Sequence, residues 1–221
     1  MDWYPEEQLL SHLGNAVPGI LESQSPNGEF GTAPWISTDQ NVLLALAAAY
    51  TLPASRHYGD DSLLDAIGRG GVALAEAQDD SGMWEFRKKD GSEWGPIRMP
   101  WSYSRWMRAY HHGGPVVAYN FVYVDALGVY LTLTGDEAVR PALERAARYH
   151  AEFTYPDGSA VETVDGRNPY AAGVRLGNSG FTKTAAGRGF LQRQHRLFLE
   201  GGGTFDADYA ALQLLYGEGG T

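Results

Sequence analysis

The sequence predicts an all-α protein built from helical hairpins, and three features lead to that prediction. Apolar residues recur at the spacing of an amphipathic helix in one segment after another. Residues that cap helices stand at several of the predicted helix starts. A short motif of glycine and an aromatic residue follows a predicted helix at several places along the chain. Together these features indicate helices that end in similar turns and pack side by side.

The apolar pattern predicts helices over about 6–23, 39–51, 61–78, 115–133, 136–154, 184–199 and 205–216, with a further one around 101–110. Thr38 or Asp39 is the expected cap of the second helix, and Asp60 or Asp61 that of the third. Asp136 is the expected cap of the fifth.

Two segments between these helices are rich in turn-forming residues. Residues 85–100 predict a short β-hairpin or a lid. Residues 155–183 are polar and glycine-rich, and loops of that length in compact domains are usually functional or mobile. No linker divides the chain, so we expect one domain over residues 1–221.

The repeated motif is clearest in Gln24–Phe30 and Gln78–Trp84, which share the pattern Q-x-x-x-G-x-aromatic. Fainter copies lie at 153–159 and 203–205. We expect each glycine to take a left-handed conformation that closes the preceding helix, and each aromatic ring to pack back against the helix end. The copies are too unevenly spaced for a regular repeat array, so they favour an (α/α) toroid or incomplete toroid of about four hairpins.

Composition excludes several classes of function. The formal net charge of −10 argues against a protein that binds nucleic acid, because such a protein needs a basic surface. With no cysteine, the chain has no disulfide, thiolate nucleophile or cysteine–zinc site. The apolar run 42–50 is too short to span a bilayer, so no membrane partner is expected.

Residues 1–7 do not resemble a signal peptide. The compartment therefore stays open between the cytoplasm and the periplasm or exterior after processing. Aromatic residues make up 12% of the chain and include 6 Trp and 13 Tyr. Flat rings stack on the faces of sugars, but they equally fill a helical core.

The repeated motif, together with three further segments, resembles the α/α-toroid carbohydrate-active enzymes. The segments are Met99–Arg108, the helix that contains Asn120, and Asp157–Tyr170. Within that group the likeness is greatest to polysaccharide lyases of the alginate-, heparin- and glucuronan-cleaving kind. Such toroids commonly hold more hairpins than this chain supplies, and a homodimer is one way to complete the ring. The resemblance implies an oligosaccharide or polysaccharide as partner and β-elimination at a uronate without metal or cofactor.

β-Elimination needs a group that neutralises the carboxylate, a base for the proton and an acid for the leaving oxygen. Two clusters offer such groups. The first contains Trp101, Tyr103, Arg105, Arg108, Tyr110, His111, His112 and Asn120. The second contains Glu162, Asp165, Arg167, Asn168 and Tyr170, with Arg188 beyond it.

We expect Asn120, with Arg105 or Arg167, to neutralise the carboxylate. The base and the acid would come from Tyr170, Tyr103, His111 or His112. Glu162 is a further catalytic candidate. The expected substrate-binding residues are Trp35, Trp84, Trp94, Trp101, Arg105, Arg108 and Arg188.

Structural interpretations of the same residues stay open. Asn120 lies in an apolar helix, where a buried amide also serves as a bridge between helices. His111 and His112 fit an exposed helix end, and the second cluster fits a solvated, salt-bridged loop.

Two other functions fit the same fold. A glycoside hydrolase would need two carboxylates facing each other across a sugar, about 5–5.5 Å apart for retention and about 6.5–9.5 Å for inversion. Its candidates are Glu162, Asp165 and Asp125. The low number of hairpins favours instead a truncated helical module that binds glycan without catalysis.

Overall fold

A computed structural model of the chain describes residues 3–80, 83–97, 117–161 and 172–219. These residues contain seven α-helices and one two-stranded sheet, which confirms the all-α prediction. They group into two compact units. The first unit consists of residues 7–101 and 205–215, and the second of residues 1–6, 102–204 and 216–221. The toroidal arrangement and the single-domain assignment stay predictions.

The first unit is built on α1 (Glu6–Glu22), α2 (Val42–Thr51), α3 (Asp61–Glu76), strands β1 (Trp84–Arg87) and β2 (Glu93–Ile97), and most of α7 (Ala207–Tyr216). In α1 the buried residues Leu9, Leu13 and Val17 recur every four positions, so one stripe of the helix faces the core. Asp60 caps α3 by accepting a hydrogen bond from the Ser62 backbone N–H at 2.9 Å, as predicted.

The start of α2 differs from the prediction. A 3₁₀ helix over Ser37–Asn41 precedes α2, and neither Thr38 nor Asp39 caps it. Asp39 instead accepts a hydrogen bond from the Ile36 backbone N–H at 3.1 Å. Asp39 lies inside the 3₁₀ helix, which begins at Ser37 and therefore before the start that the apolar pattern predicts.

The predicted hairpin at 85–100 is confirmed where it is described. Strands β1 and β2 pair antiparallel, with Trp84 opposite Ile97. The chain reverses over Lys88–Ser92, where the Lys88 N–H donates to the Ser92 carbonyl at 2.9 Å and Gly91 has a φ of 80°. A left-handed glycine at this position is typical of short hairpin loops.

The second unit contains α4 (Val117–Thr134), α5 (Arg140–Glu152) and α6 (Ala185–Glu200), with 3₁₀ helices over Glu137–Val139 and Ser179–Lys183. Asp136 caps the first of these 3₁₀ helices, not α5 itself, by accepting from the Ala138 N–H at 3.0 Å. The apolar part of the core of this unit is formed by Val124, Leu131, Leu143, Ala147, Phe181, Phe190 and Leu191. The predicted helix around 101–110 lies outside the described residues.

Two motif glycines, Gly28 and Gly158, are left-handed as predicted, but neither closes a helix. Gly203 is not left-handed, and Gly82 lies outside the described residues. Gly28 has a φ of 88° and Gly158 a φ of 84°. Each lies in a tight turn beyond the helix end, in which the Ser25 N–H donates to the Glu29 carbonyl and the Tyr155 N–H to the Ser159 carbonyl, both at 2.8 Å. At the end of α6 the left-handed residue that closes the helix is Gly202.

The aromatic residues of the two clear motifs pack on α3. Phe30 is fully buried, and its ring lies so close to Gly70 that a Cβ there would be 2.7 Å from Phe30 Cε2. The indole N–H of Trp84 donates to the Leu74 carbonyl at 2.8 Å, near the end of α3. Packing of an aromatic against the preceding helix end is therefore confirmed for Trp84.

No helix in the part of the chain that the structure describes is both long and apolar enough to cross a bilayer.

Candidate functional site

Asn120 and His150 form a hydrogen-bonded pair between two helices of the second unit. Asn120 lies on α4 and is partly exposed, whereas His150 lies on α5 and is 1% exposed. The distance from Asn120 Nδ2 to His150 Nε2 is 2.9 Å. The imidazole is enclosed by aromatic rings, with the Phe121 centroid at 4.1 Å and the Phe181 centroid at 5.2 Å. This contact holds the amide of Asn120 in one orientation.

Burial decides the charge of this histidine. Desolvation lowers the pKa of His150 to about 3, so the ring is neutral near pH 7. With Asn120 Nδ2 as the donor, Nε2 accepts, which requires the tautomer protonated at Nδ1. His150 therefore acts as a neutral acceptor that positions Asn120, and it supplies no positive charge to a carboxylate.

A second buried histidine lies on α6. His195 is buried, and desolvation lowers its pKa to about 4. Its ring centroid is 6.4 Å from that of Tyr4, whose own pKa is raised mainly by burial. His150 and His195 are thus both neutral in the folded chain near pH 7.

We expect the protein to lose stability as the pH falls below about 6.5, the pKa of histidine in an unfolded chain. The folded pKa values are lowered to about 3 for His150 and about 4 for His195. Below pH 6.5 the unfolded chain therefore binds protons that the folded chain does not, and the free energy of unfolding falls. Above that pH both histidines are neutral in the folded and the unfolded chain, so their contribution to the free energy of unfolding is constant.

Each histidine adds a slope of at most about 1.4 kcal/mol per pH unit. Urea denaturation at about pH 7, 6 and 5 measures this slope. The variant His150→Gln should reduce it, because one of the two buried imidazoles is gone. An equal slope for the variant and the natural chain would contradict the lowered pKa of His150.

A cleft of about 550 Å³ opens in the second unit where α5 and α6 begin. It is lined by Glu137, Arg140, Pro141, Glu144, Lys183, Thr184, Ala185 and Arg188. Thr184 caps α6 by accepting from the Gly187 N–H at 3.1 Å. The remaining N–H groups of that first turn have no partner within the helix, and the helix dipole is positive there.

Most charges in the cleft are already paired. Arg140 donates to Glu137 at 2.8 Å, and Lys183 donates to Glu218 at 2.9 Å. Glu144 pairs with a residue outside the lining, Arg148.

Arg188 differs from these groups. Its guanidinium donates to the Thr182 carbonyl at 3.1 Å and has no acidic partner within the described ranges. An arginine carries five N–H donors, and within the described part of the chain most of those of Arg188 have no acceptor. The cleft therefore combines an available guanidinium with a helix N-terminus.

The structure describes four of the predicted site residues with their side chains. Asn120 lies in the pair with His150, and Arg188 lines the cleft. Trp35 and Trp84 lie in the first unit, where Trp84 packs on α3 and the Trp35 indole is 3.5 Å from Gln40 Oε1. Trp94 is described only as a backbone position in β2. Sugar stacking by these tryptophans stays a prediction.

The other predicted residues lie outside the described ranges, and their roles stay predictions. They are Tyr103, His111, His112, Glu162, Arg167 and Tyr170 for catalysis, and Trp101, Arg105 and Arg108 for binding. Of the hydrolase candidates, Asp125 is buried on α4, and Asp165 is outside the described residues.

Sequence analysis missed His150, Arg140 and Lys183. His150 had a usable signal, because it continues the buried stripe of α5 that contains Leu143 and Ala147. A polar residue on such a stripe needs a partner from another element. The sequence carries no comparable signal for Arg140 and Lys183. Their contact depends on how α5 packs against the 3₁₀ helix over Ser179–Lys183.

No protein-family model matches the chain, and no curated protein or solved structure shows significant similarity to it. Function is therefore inferred from the residues themselves.

Proposed function

We propose that this chain binds a uronate-containing glycan and cleaves it by β-elimination, in the manner of a polysaccharide lyase. The observation that supports the proposal most is the cleft where α5 and α6 begin, with Arg188 available to bind an anion. The chain carries a net charge of −10, so its surface as a whole repels an acidic polymer. A local cationic site is what such a ligand requires.

A carboxylate fits the chemistry of this cleft. A guanidinium offers two parallel N–H groups to the two oxygens of a carboxylate, and the first turn of α6 adds backbone donors and a positive dipole. The volume of about 550 Å³ lies within the range of small-ligand sites, so a sugar residue can enter.

The reaction also needs a neutral hydrogen-bond donor at the carboxylate of the sugar that reacts. Asn120 suits this role because His150 fixes one of its amide hydrogens and leaves the other to donate. Once the carboxylate is neutralised, a base removes the C5 proton, and the electron pair moves into the carboxyl group as an enolate-type intermediate. The C4–C5 double bond then forms as the C4–oxygen bond breaks, and an acid protonates the leaving oxygen. Tyr170, Tyr103, His111 and His112 are the proposed bases and acids, with Arg167 and Glu162 in support.

Incubation with a panel of uronate polymers tests the proposed reaction. Alginate, glucuronan, hyaluronan, heparan and pectic polymers are the substrates to compare. The expected result is a rise in ultraviolet absorbance on one of them, because β-elimination leaves a conjugated double bond. New reducing ends without that absorbance would indicate hydrolysis instead, and binding without either would indicate a glycan-binding module.

Replacing Arg188 with alanine tests the proposed site. We expect the variant to bind acidic oligosaccharides about tenfold more weakly or worse, because a charge-assisted hydrogen bond contributes about 1.5–3 kcal/mol. The affinity of Arg188→Lys should lie between those of the natural chain and Arg188→Ala, since an ammonium keeps the charge but not the planar arrangement of N–H donors. Isothermal titration with an oligoglucuronate measures these affinities.

Arg196→Ala is the matched control. Arg196 lies on the same helix, is exposed and does not line the cleft. Its replacement removes the same charge from the chain and should change the affinity little. Equal losses for the two variants would show that only net charge matters and would refute the site.

A further inference from the structure

Lys183 is a buried lysine whose one acidic partner among the described residues is Glu218. Its side chain is 1% exposed, and its Nζ donates to Glu218 Oε1 at 2.9 Å. Glu218 itself is 49% exposed. An ammonium removed from water requires an anionic partner, because an uncompensated buried charge is strongly destabilising. The ion pair therefore has a buried cation and an anion that solvent reaches.

Glu218 belongs to a short segment that follows α7. We call residues 217–219 the C-terminal strap. Besides the ion pair, the Glu218 N–H donates to Thr182 Oγ1 at 2.9 Å, and the Tyr216 carbonyl just before the strap accepts from Thr132 at 3.3 Å. The strap has no regular secondary structure, and the described residues make few polar contacts with it; such segments open locally at low cost.

The strap contacts one residue that lines the cleft, Lys183, and the residue before it, Thr182. Lys183 lines the cleft, and Thr182, which binds the strap, also accepts the hydrogen bond from Arg188. Arg140, which donates to the Lys183 carbonyl, responds to Glu218 as well: the pKa of Arg140 is raised by its hydrogen bond to Glu137 and further by the charge of Glu218. The carboxylate of the strap thus acts on two cations of the cleft.

We propose that Lys183 is a second carboxylate-binding position of this cleft, and that Glu218 occupies it until an acidic ligand displaces the strap. The inference rests on the proposed function, because it takes the carboxylate of an acidic sugar as the competing ligand. A carboxylate already bound there shows which chemistry the position accepts. Exchange of one carboxylate for another leaves the buried ammonium paired throughout. The strap therefore reduces affinity for acidic sugars in the resting chain.

The first test needs no ligand. The chain has three lysines, Lys88, Lys89 and Lys183, and Lys88 is exposed in the hairpin turn. Acylation by acetic anhydride, followed by mass spectrometry, gives the reactivity of Lys183 relative to Lys88. We expect strong protection in the natural chain, and at least about a tenfold rise in Glu218→Ala, since local opening controls access. Lys183 reacting as fast as Lys88 in the natural chain would overturn the proposal.

The second test measures binding of an oligoglucuronate by titration. Glu218→Ala and the isosteric Glu218→Gln should bind about tenfold more tightly than the natural chain, since each frees Lys183 for the ligand. Lys183→Met in the Glu218→Ala background should abolish the gain. Glu200→Ala is the control, because Glu200 is an exposed acid at the far end of α6 and its replacement removes the same charge.

The outcomes separate the two proposals. Equal gains for Glu218→Ala and Glu200→Ala overturn the role of the strap, whatever Arg188→Ala does. Binding that is insensitive to Arg188→Ala, or absent from every variant, overturns the proposed function, while the acylation rates still report whether the strap covers Lys183. If Glu218→Ala fails to fold, Glu218→Gln carries both measurements, because its amide oxygen can still accept a hydrogen bond from the Lys183 ammonium.

Discussion

Replacing Gly180 with alanine should destabilise the second unit by about 3 kcal/mol, because the site has no room for a methyl group. A Cβ on Gly180 would lie 2.1 Å from the Val124 carbonyl oxygen and 2.9 Å from Val124 Cγ1. The carbonyl belongs to the backbone of α4 and cannot rotate away. Gly128 on the same helix also meets Gly180, since a Cβ on Gly128 would lie 2.3 Å from Gly180 Cα. The helix and the 3₁₀ segment therefore pack backbone against backbone.

Thermal unfolding followed by circular dichroism measures this effect. A loss of about 3 kcal/mol corresponds to about 6–12 °C in the melting temperature of a chain of this size. Gly189→Ala is the matched control, since Gly189 lies in α6 and a Cβ added there would have no neighbour within 4 Å. That variant should gain about 0.5–1 kcal/mol, because alanine favours a helix. A Gly180→Ala chain that melts with the natural one would contradict the close packing.

Gln40→Leu should destabilise the first unit by about 2–4 kcal/mol, because the side chain bonds three backbone groups that water does not reach. Gln40 is 3% exposed. Its Oε1 accepts from the Phe30 N–H at 2.8 Å, and its Nε2 donates to the Gly70 carbonyl at 2.7 Å and the Gly28 carbonyl at 3.3 Å. Leucine keeps the approximate volume and leaves the Phe30 N–H without a partner.

Urea denaturation gives the change in free energy, and amide hydrogen exchange at Phe30 reports the lost bond directly. Gln8→Leu is the control, because Gln8 is an exposed glutamine on α1. It should change stability by less than about 0.5 kcal/mol. Similar losses in both variants would mean that the added leucine, and not the lost bonds, is responsible.

The second unit uses a glutamine in the same way. Gln194 on α6 donates to the Gly158 carbonyl at 2.8 Å and to the Arg175 carbonyl at 2.8 Å. Gly28 and Gly158 are the left-handed glycines of two motif turns, and each turn is thus fixed by a buried amide from another helix. The sequence shows the turns, since Pro-Asn-Gly and Pro-Asp-Gly are local signals. It does not show which glutamine reaches them.

The sequence by itself determined the described helices, the left-handed Gly28 and Gly158, and the hairpin, because periodicity, caps and turn residues act over a few neighbouring positions. It also placed Asn120 on a helix that needs a polar partner. Only the tertiary structure decided that the partner is His150, which comes thirty positions later in the chain.

Only tertiary structure, again, put Arg188 and Lys183 in one cleft and paired Lys183 with Glu218. The physical reason is the same in each case. Burial, pKa shifts and ion pairs depend on distances between elements far apart in the chain, and those distances are set by how the helices pack. No local sequence pattern predicts these distances.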